Sequence, residues 1–131
     1  MNNKQKHLDF IQAVIGRMAN HSFLIKGWTI TLEVALFALV TEHHNEKYLI
    51  IALLPIGFFW ILDGYFLSRE RSFRCLYDEV RKKNEEEIDF SMDVSKFMKW
   101  KTRWFCSVFS KTILFFYICL MGCILIIYYL K

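Results

Sequence analysis

The stretch that most constrains the fold is residues 22–40, SFLIKGWTITLEVALFALV, which is apolar enough to cross a bilayer yet carries two charges. With 3.6 residues per turn, one stripe of this helix contains its polar residues Ser22, Lys26, Thr29 and Glu33. An ionised side chain at the bilayer centre costs about 2.5–3.5 kcal/mol on insertion scales unless it is paired or hydrated. The stripe therefore predicts a membrane protein whose helices assemble around this face, either as a closed charge-paired core or as a water-filled pathway.

Three stretches are each long enough for the ~20 residues that a spanning helix needs, namely residues 22–40, 48–67 and 105–130. They raise the hydrophobic content to 55%, above the ~45–50% of soluble domains. We do not expect the first to be a cleaved signal peptide, because Glu33 lies in its body and no small-residue cleavage site follows it. The chain is thus predicted to be an all-α membrane protein, a single domain with three transmembrane helices.

The distribution of Lys and Arg predicts the orientation in the membrane. The N-terminal flank carries three of these residues and residues 68–103 carry ten, whereas the turn 41–47 and the C-terminus carry one each. By the positive-inside rule, the N-terminus and residues 68–103 are cytoplasmic, and the C-terminus is periplasmic in a bacterial inner membrane. The net charge of +4 is then mainly a topology signal.

The flanking segments predict additional helices. Residues 4–20 have the periodicity of an amphipathic helix lying on the inner leaflet, and capping residues at 20–22 predict a change of direction before the first span. The second span is predicted to continue as a cytoplasmic helix to about residue 84. A return segment, residues 85–104, would complete a cytoplasmic helical hairpin before the third span.

The depths of the intramembrane charges suggest how they are paired. The second span brings Asp63 to the depth of Lys26, so we predict an ion pair between them. Glu33 lies about ten residues into its span, ~15 Å deep and near the midplane, without an obvious partner. Lys111, in the inner part of the third span, is the competing candidate for a charge partner. Alternatively, Glu33 is protonated, or hydrogen-bonded to Thr29 or a neighbouring span, and fixes only the helix register.

No catalytic motif is present, so we do not expect an enzyme, and no metal site or cofactor is predicted. One hypothesis is an oligomeric ion channel in which copies contribute the stripe of residues 22–33, since rings of carboxylates favour cations. The alternative is a non-conducting membrane anchor or adaptor whose cytoplasmic hairpin docks a protein partner. The basic residues of that hairpin can bind an anionic ligand such as the phosphates of a nucleotide or nucleic acid, or can reflect only topology and anionic lipid. They are Arg69, Arg71, Arg74, Arg81, Lys82 and Lys83.

Two segments, HLDFIQAVIGRMANHSFLIKGW and DGYFLSRERSFRCLYDEVRKKNEEEIDFSMDV, resemble a family of small bacterial three-span proteins, similar to the membrane effectors of the Hailong anti-phage defence system. The resemblance covers most of the chain. It implies a tetrameric channel that is controlled by single-stranded DNA oligomers, and these oligomers are made by a neighbouring nucleotidyltransferase. Opening of the channel would harm the infected cell in abortive infection. By charge and position, the basic hairpin residues would then contact the oligonucleotide and Glu33 would line the pore.

Overall fold

A computed structural model describes residues 2–43, 45–98 and 104–130, and the regular structure within these ranges is entirely helical. The α-helices are α1 (Asn3–His43), α2 (Glu46–Lys82), α3 (Trp104–Val108) and α4 (Lys111–Leu130), with single 3-10 turns at Glu85–Glu87 and Ser95–Phe97. Helices α1, α2 and α4 are long and apolar enough to cross a membrane. The predicted all-α class and the three candidate spans are therefore confirmed.

Helices α1 and α2 form a long antiparallel pair. The Asn45 side chain begins α2 by accepting the backbone N–H of Lys47 at 3.0 Å, and Glu46 adds an acidic residue to the first turn, where the helix dipole favours negative charge. Helix α2 continues through Pro55 to Lys82, close to the predicted end near residue 84. A connection this short brings the two helices side by side along most of their length.

Two apolar cores lie at different levels of this pair. One contains Ile56, Ile113, Tyr117 and Ile124, and belongs to what we call the apolar half, residues 22–40, residues 48–67 and α4. The other belongs to the charged half, which is residues 3–20, residues 68–82 and the connection 83–98; its buried members are Ile11, Ile15, Leu76, Val80 and Val94. The charged half therefore has a packed core of its own.

The predicted change of direction at residues 20–22 is wrong, because α1 runs without interruption from Asn3 to His43. Its buried face continues across this region from Ile11 and Ile15 to Ile25 and Thr29, so packing against α2 favours one helix over a capped break. A 41-residue helix is ~60 Å long, about twice the hydrocarbon thickness of a bilayer. Residues 4–20 thus extend the first span, instead of forming the separate interfacial helix that was expected.

The predicted helical hairpin is also wrong in its second arm. After α2, residues 83–98 are irregular apart from the two 3-10 turns, and residues 99–103 of the predicted return segment lie outside the described residues. Side chains here bond backbone N–H groups two residues ahead, from Asp89 to Ser91, from Ser91 to Asp93 and from Asp93 to Ser95. Such local bonds compete with the helical ladder, which explains the irregular path.

The predicted third span, residues 105–130, is divided into α3 and α4. The carbonyl of Val108 accepts the indole N–H of Trp60 at 2.8 Å, and the Ser110 N–H bonds the carbonyl three residues back instead of four. Gly64 permits the close approach of α3, since a Cβ there would lie 2.4 Å from Cγ2 of Val108. Helix α4 begins after this break and is long enough by itself to span.

Candidate functional site

The polar stripe of α1 faces the other helices of the same chain. Thr29 and Glu33 are buried, and so is Asp63 on the facing helix α2. Ser22 and Lys26 are partly covered at the same interface. The predicted set thus lies within the helix bundle, with Lys26 and Asp63 at one level and Glu33 two turns farther along α1.

At the first level, the predicted ion pair is confirmed. Nζ of Lys26 lies 2.5 Å from Oδ2 of Asp63 and also donates to Oγ of Ser22 at 2.9 Å. The Ser22 hydroxyl in turn donates to Oδ1 of Asp63, and the Tyr117 hydroxyl of α4 donates to Oδ2 at 3.2 Å. The carboxylate therefore accepts three donors from two neighbouring helices, although its side chain is 0% exposed.

These contacts offset the cost of removing the carboxylate from water. A buried ion pair is tolerated when additional hydrogen bonds satisfy its remaining lone pairs, as Ser22 and Tyr117 do here. Lys26 keeps 21% of its side chain exposed, and its ammonium lies 5.8 Å above the ring of Phe116. This level joins α1, α2 and α4 and is best understood as a structural clamp, which we call the Asp63 cluster (Ser22, Lys26, Asp63, Tyr117).

Sequence reasoning missed Tyr117. A tyrosine in the middle of an otherwise apolar span was the available signal, because a buried phenol needs a hydrogen-bond partner. Its ring also stacks on Trp60 with centroids 5.9 Å apart, while its hydroxyl lies 3.3 Å from the carbonyl of Phe59. Tyr117 therefore combines ring packing against Trp60 with a hydrogen bond from its hydroxyl to Asp63.

Glu33 differs sharply from Asp63. Its side chain is 2% exposed, and neither carboxyl oxygen has a hydrogen-bond partner among the described residues. Thr29, one predicted partner, instead donates its hydroxyl to the carbonyl of Ile25 at 2.7 Å. Lys111, the competing candidate for a charge partner, is exposed at the start of α4 and forms no ion pair among the described residues. A buried polar group without a partner is rare in proteins, which makes Glu33 a candidate functional position.

The predicted anion-binding residues lie in the charged half on α2, where several pair with acidic neighbours. Arg74 contacts Glu70 at 2.7 Å, Arg81 contacts Asp78 at 3.6 Å, and Lys83 contacts Glu79 at 3.2 Å, all within three or four residues. The guanidinium of Arg69 lies 5.5 Å above the ring of Tyr65. No ion pair involves Arg71 or Lys82 in the described part of the chain. An anionic ligand would therefore meet a mixed surface and not a uniformly basic one.

A second unforeseen contact ties the start of α1 to the connection 83–98. His7 is buried, its Nε2 lies 3.2 Å from the carbonyl oxygen of Ser91, and its ring lies 5.3 Å from that of Phe90. The Lys4 ammonium donates to the carbonyl of Lys83 at 2.8 Å. The signal in the sequence was the spacing of His7 four residues before Ile11, which places both on the buried face.

Beside this contact lies an open groove of about 380 Å³, lined by His7, Phe10, Ala13, Val14, Arg17, Phe90 and Met92. Phe90 has a positive φ of 55°, a conformation uncommon for a bulky residue. The groove is formed jointly by α1 and the connection, so the path of residues 83–98 determines its shape.

The chain was compared with known proteins at three levels. No protein-family model, no curated protein and no solved structure matches it.

Proposed function

We propose that this protein is an oligomeric transmembrane effector that conducts ions in an open state and thereby dissipates the membrane potential. The observation that carries the proposal is Glu33, a buried carboxyl in the middle of a candidate span that has no hydrogen-bond partner among the described residues. A chain selected only for stability would gain by replacing such a group with an apolar one. Its presence is accounted for if the carboxyl meets ions and water in another arrangement of the helices.

Conduction at Glu33 requires the bundle to open. In the packing described here the carboxyl faces neighbouring helices of its own chain, so this packing corresponds to a closed state. Several aromatic side chains on the outer surface, among them Phe23, Trp28 and Phe58, are available for lipid or for further copies of the chain. Copies arranged about an axis, four if the family resemblance holds, would place several Glu33 carboxyls around one pathway.

The setting follows from the resemblance to the Hailong effectors. We propose a bacterial inner-membrane protein in anti-phage defence, with the charged half in the cytoplasm and a single-stranded DNA oligomer as its ligand. Arg71 and Lys82 support this site most directly, because they have no acidic partner among the described residues. Arg81 would exchange the exposed Asp78 carboxylate for a phosphate, at little cost since exposed ion pairs contribute only ~0–1 kcal/mol. Arg74 is itself exposed but would have to leave Glu70, whose side chain is only 12% exposed.

The test uses purified protein in K⁺-loaded liposomes with a potential-sensitive dye, with and without short single-stranded oligodeoxynucleotides. The wild-type protein should dissipate the potential, and the oligonucleotide should change the rate. Glu33→Gln should alter this rate without changing oligomer size, whereas Glu42→Gln, the same substitution at an exposed position of α1, should not. Absence of dissipation under both conditions would exclude conduction.

Ligand binding is tested by replacing Arg71, Arg74 and Arg81 with Gln. Each phosphate contact on a single strand contributes about −0.7 to the slope of log K against log salt, so losing three contacts should flatten the slope by about 2. Lys47→Gln, at the opposite end of α2, is the matched control. Binding that does not depend on salt would contradict the phosphate site.

The groove in the charged half supports a second candidate function, a membrane anchor that docks a soluble protein. Phe10, Phe90 and Met92 expose apolar surface beside Arg17, which suits an apolar partner segment that carries an acidic residue. Phe10→Ser with Met92→Ser should abolish a protein partner's binding and leave ion flux unchanged. If these variants instead change only the flux, the groove belongs to the channel's own mechanism.

A further inference from the structure

Glu33 is a buried ionisable group to which the described helices supply no hydrogen bond. It is 2% exposed, and neither carboxyl oxygen has a hydrogen-bond partner within the described ranges. An isolated carboxylate in such surroundings carries a desolvation cost of many kcal/mol, which binding a proton removes. The closed packing is therefore compatible with a neutral carboxyl and not with an ionised one.

No ionisable group described on the packed helices forms an ion pair or a hydrogen bond with the Glu33 carboxyl. On α2, the stretch between Tyr48 and Asp63 contains none, and the Asp63 carboxylate is occupied by its own cluster. On α1, Lys26 forms an ion pair with Asp63, and Glu42 is exposed at the far end of the helix.

On α4, the Tyr117 hydroxyl donates to Asp63, and Lys111 is exposed at the start of the helix. Cys119 and Cys123 are exposed, and Tyr128 lies near the far end. A metal cation would need several oxygen ligands, whereas no hydrogen-bonding group in the described part of the chain contacts the Glu33 oxygens. A proton needs only one oxygen, so it is the ligand that fits.

We propose that Glu33 is a proton-binding site that holds a proton while α1, α2 and α4 are packed as described and releases it when they separate and water enters. The link to conduction rests on the proposed function; the proton site itself does not. Because the open state then binds fewer protons than the closed state, raising the pH favours opening. One proton per chain shifts the opening equilibrium by up to tenfold per pH unit.

The first test is modification by dicyclohexylcarbodiimide, an apolar reagent that partitions into membranes and adds to protonated carboxyls. In liposomes at neutral pH, peptide mapping by mass spectrometry should find one added reagent on Glu33 and none on Asp63, whose carboxylate is ion-paired. The adduct should disappear in Glu33→Gln and decline as pH rises. In Lys26→Met, which removes the cation, Asp63 should become reactive and so prove that the reagent reaches this depth.

The second test is infrared difference spectroscopy of the reconstituted protein, which keeps the inference testable if a variant assembles poorly. The wild-type spectrum should contain the carbonyl stretch of a protonated carboxyl that is lost reversibly on raising the pH and absent in Glu33→Gln. An unlabelled Glu33 beside a labelled Asp63 in Lys26→Met, or a spectrum without this band, would overturn the inference. Labelling without any ion flux would uphold the proton site and refute the channel; flux without labelling or the infrared band would do the reverse.

Discussion

Asp63 and Glu33 are two carboxyls at neighbouring levels of one helix bundle, and they are almost equally buried. Asp63 accepts bonds from Ser22, Lys26 and Tyr117, whereas Glu33 accepts none in the described part of the chain. Burial alone therefore does not distinguish these two carboxyls. The partners do, because a satisfied carboxylate fixes helices together and an unsatisfied one favours their separation.

The largest expected effect on stability comes from disrupting the Asp63 cluster. Asp63→Ala leaves the Lys26 ammonium without its partner and should lower the free energy of unfolding by roughly 3–5 kcal/mol. The double variant Lys26→Met with Asp63→Leu should recover most of this loss, because no uncompensated charge remains. Denaturant titration in detergent measures the free energy of unfolding of the single and the double variant. Equal destabilisation by the single and double variants would contradict the clamp.

The contact that brings α3 against α2 near Asp63 should be nearly as sensitive. Gly64→Ala places a methyl group 2.4 Å from Cγ2 of Val108 and should cost about 1–3 kcal/mol through displaced packing. Gly57→Ala is the matched control on the same helix, since a Cβ there meets no atom within 4 Å. It should be neutral or stabilising. If both variants behave alike in thermal unfolding, the close approach of α3 does not contribute to stability.

Removing one hydrogen bond from the Asp63 cluster should have a smaller effect on stability. Tyr117→Phe keeps the ring stacked on Trp60 but deletes the donor to Asp63, and a bond to a charged group is worth about 1.5–3 kcal/mol. We expect a loss near the lower value, because Lys26 and Ser22 still contact the carboxylate. Denaturant unfolding of Tyr117→Phe measures this loss in the free energy of unfolding. Unchanged stability would show that the Tyr117 hydroxyl does not stabilise the Asp63 carboxylate.

The smallest effect should come from an exposed charge in the charged half. Hydrogen bonds from Lys96 and then Lys83 hold the pKa of Glu79 below its ordinary value of 4.5. Since the folded state binds this proton less readily than the unfolded state, the stabilisation is present above about pH 4.5 and lost as pH falls through the folded pKa. Glu79→Gln should therefore be slightly less stable than wild type at neutral pH, and the difference should vanish in acid. A difference that grows in acid would contradict this sign.

Periodicity and depth were sufficient to predict the three spans, the polar stripe and the pairing of Lys26 with Asp63. These features depend on spacing along a helix and on the cost of charge in apolar surroundings, both of which are local or one-dimensional. The extent of α2 was predictable for the same reason, since its apolar residues recur past Leu67 at helical spacing.

The remaining features depend on tertiary contacts. Residues 20–22 have the composition of a cap, but the Ser22 hydroxyl bonds Asp63 and the helix continues. The break after α3 depends on Trp60 reaching the carbonyl of Val108, and the connection 83–98 follows its own side-chain bonds. That Glu33 has no partner is likewise visible only once the neighbouring helices are in place.

The role of Glu33 is tested most directly by recording from purified protein in planar bilayers across a KCl gradient. We expect wild-type currents to reverse near the K⁺ equilibrium potential, because ionised carboxyls in an open pathway favour cations. Glu33→Gln should shift the reversal potential towards zero, while Asp63→Asn should reduce the number of active channels without changing their selectivity. An identical reversal potential in wild type and Glu33→Gln would show that ions do not pass this carboxyl.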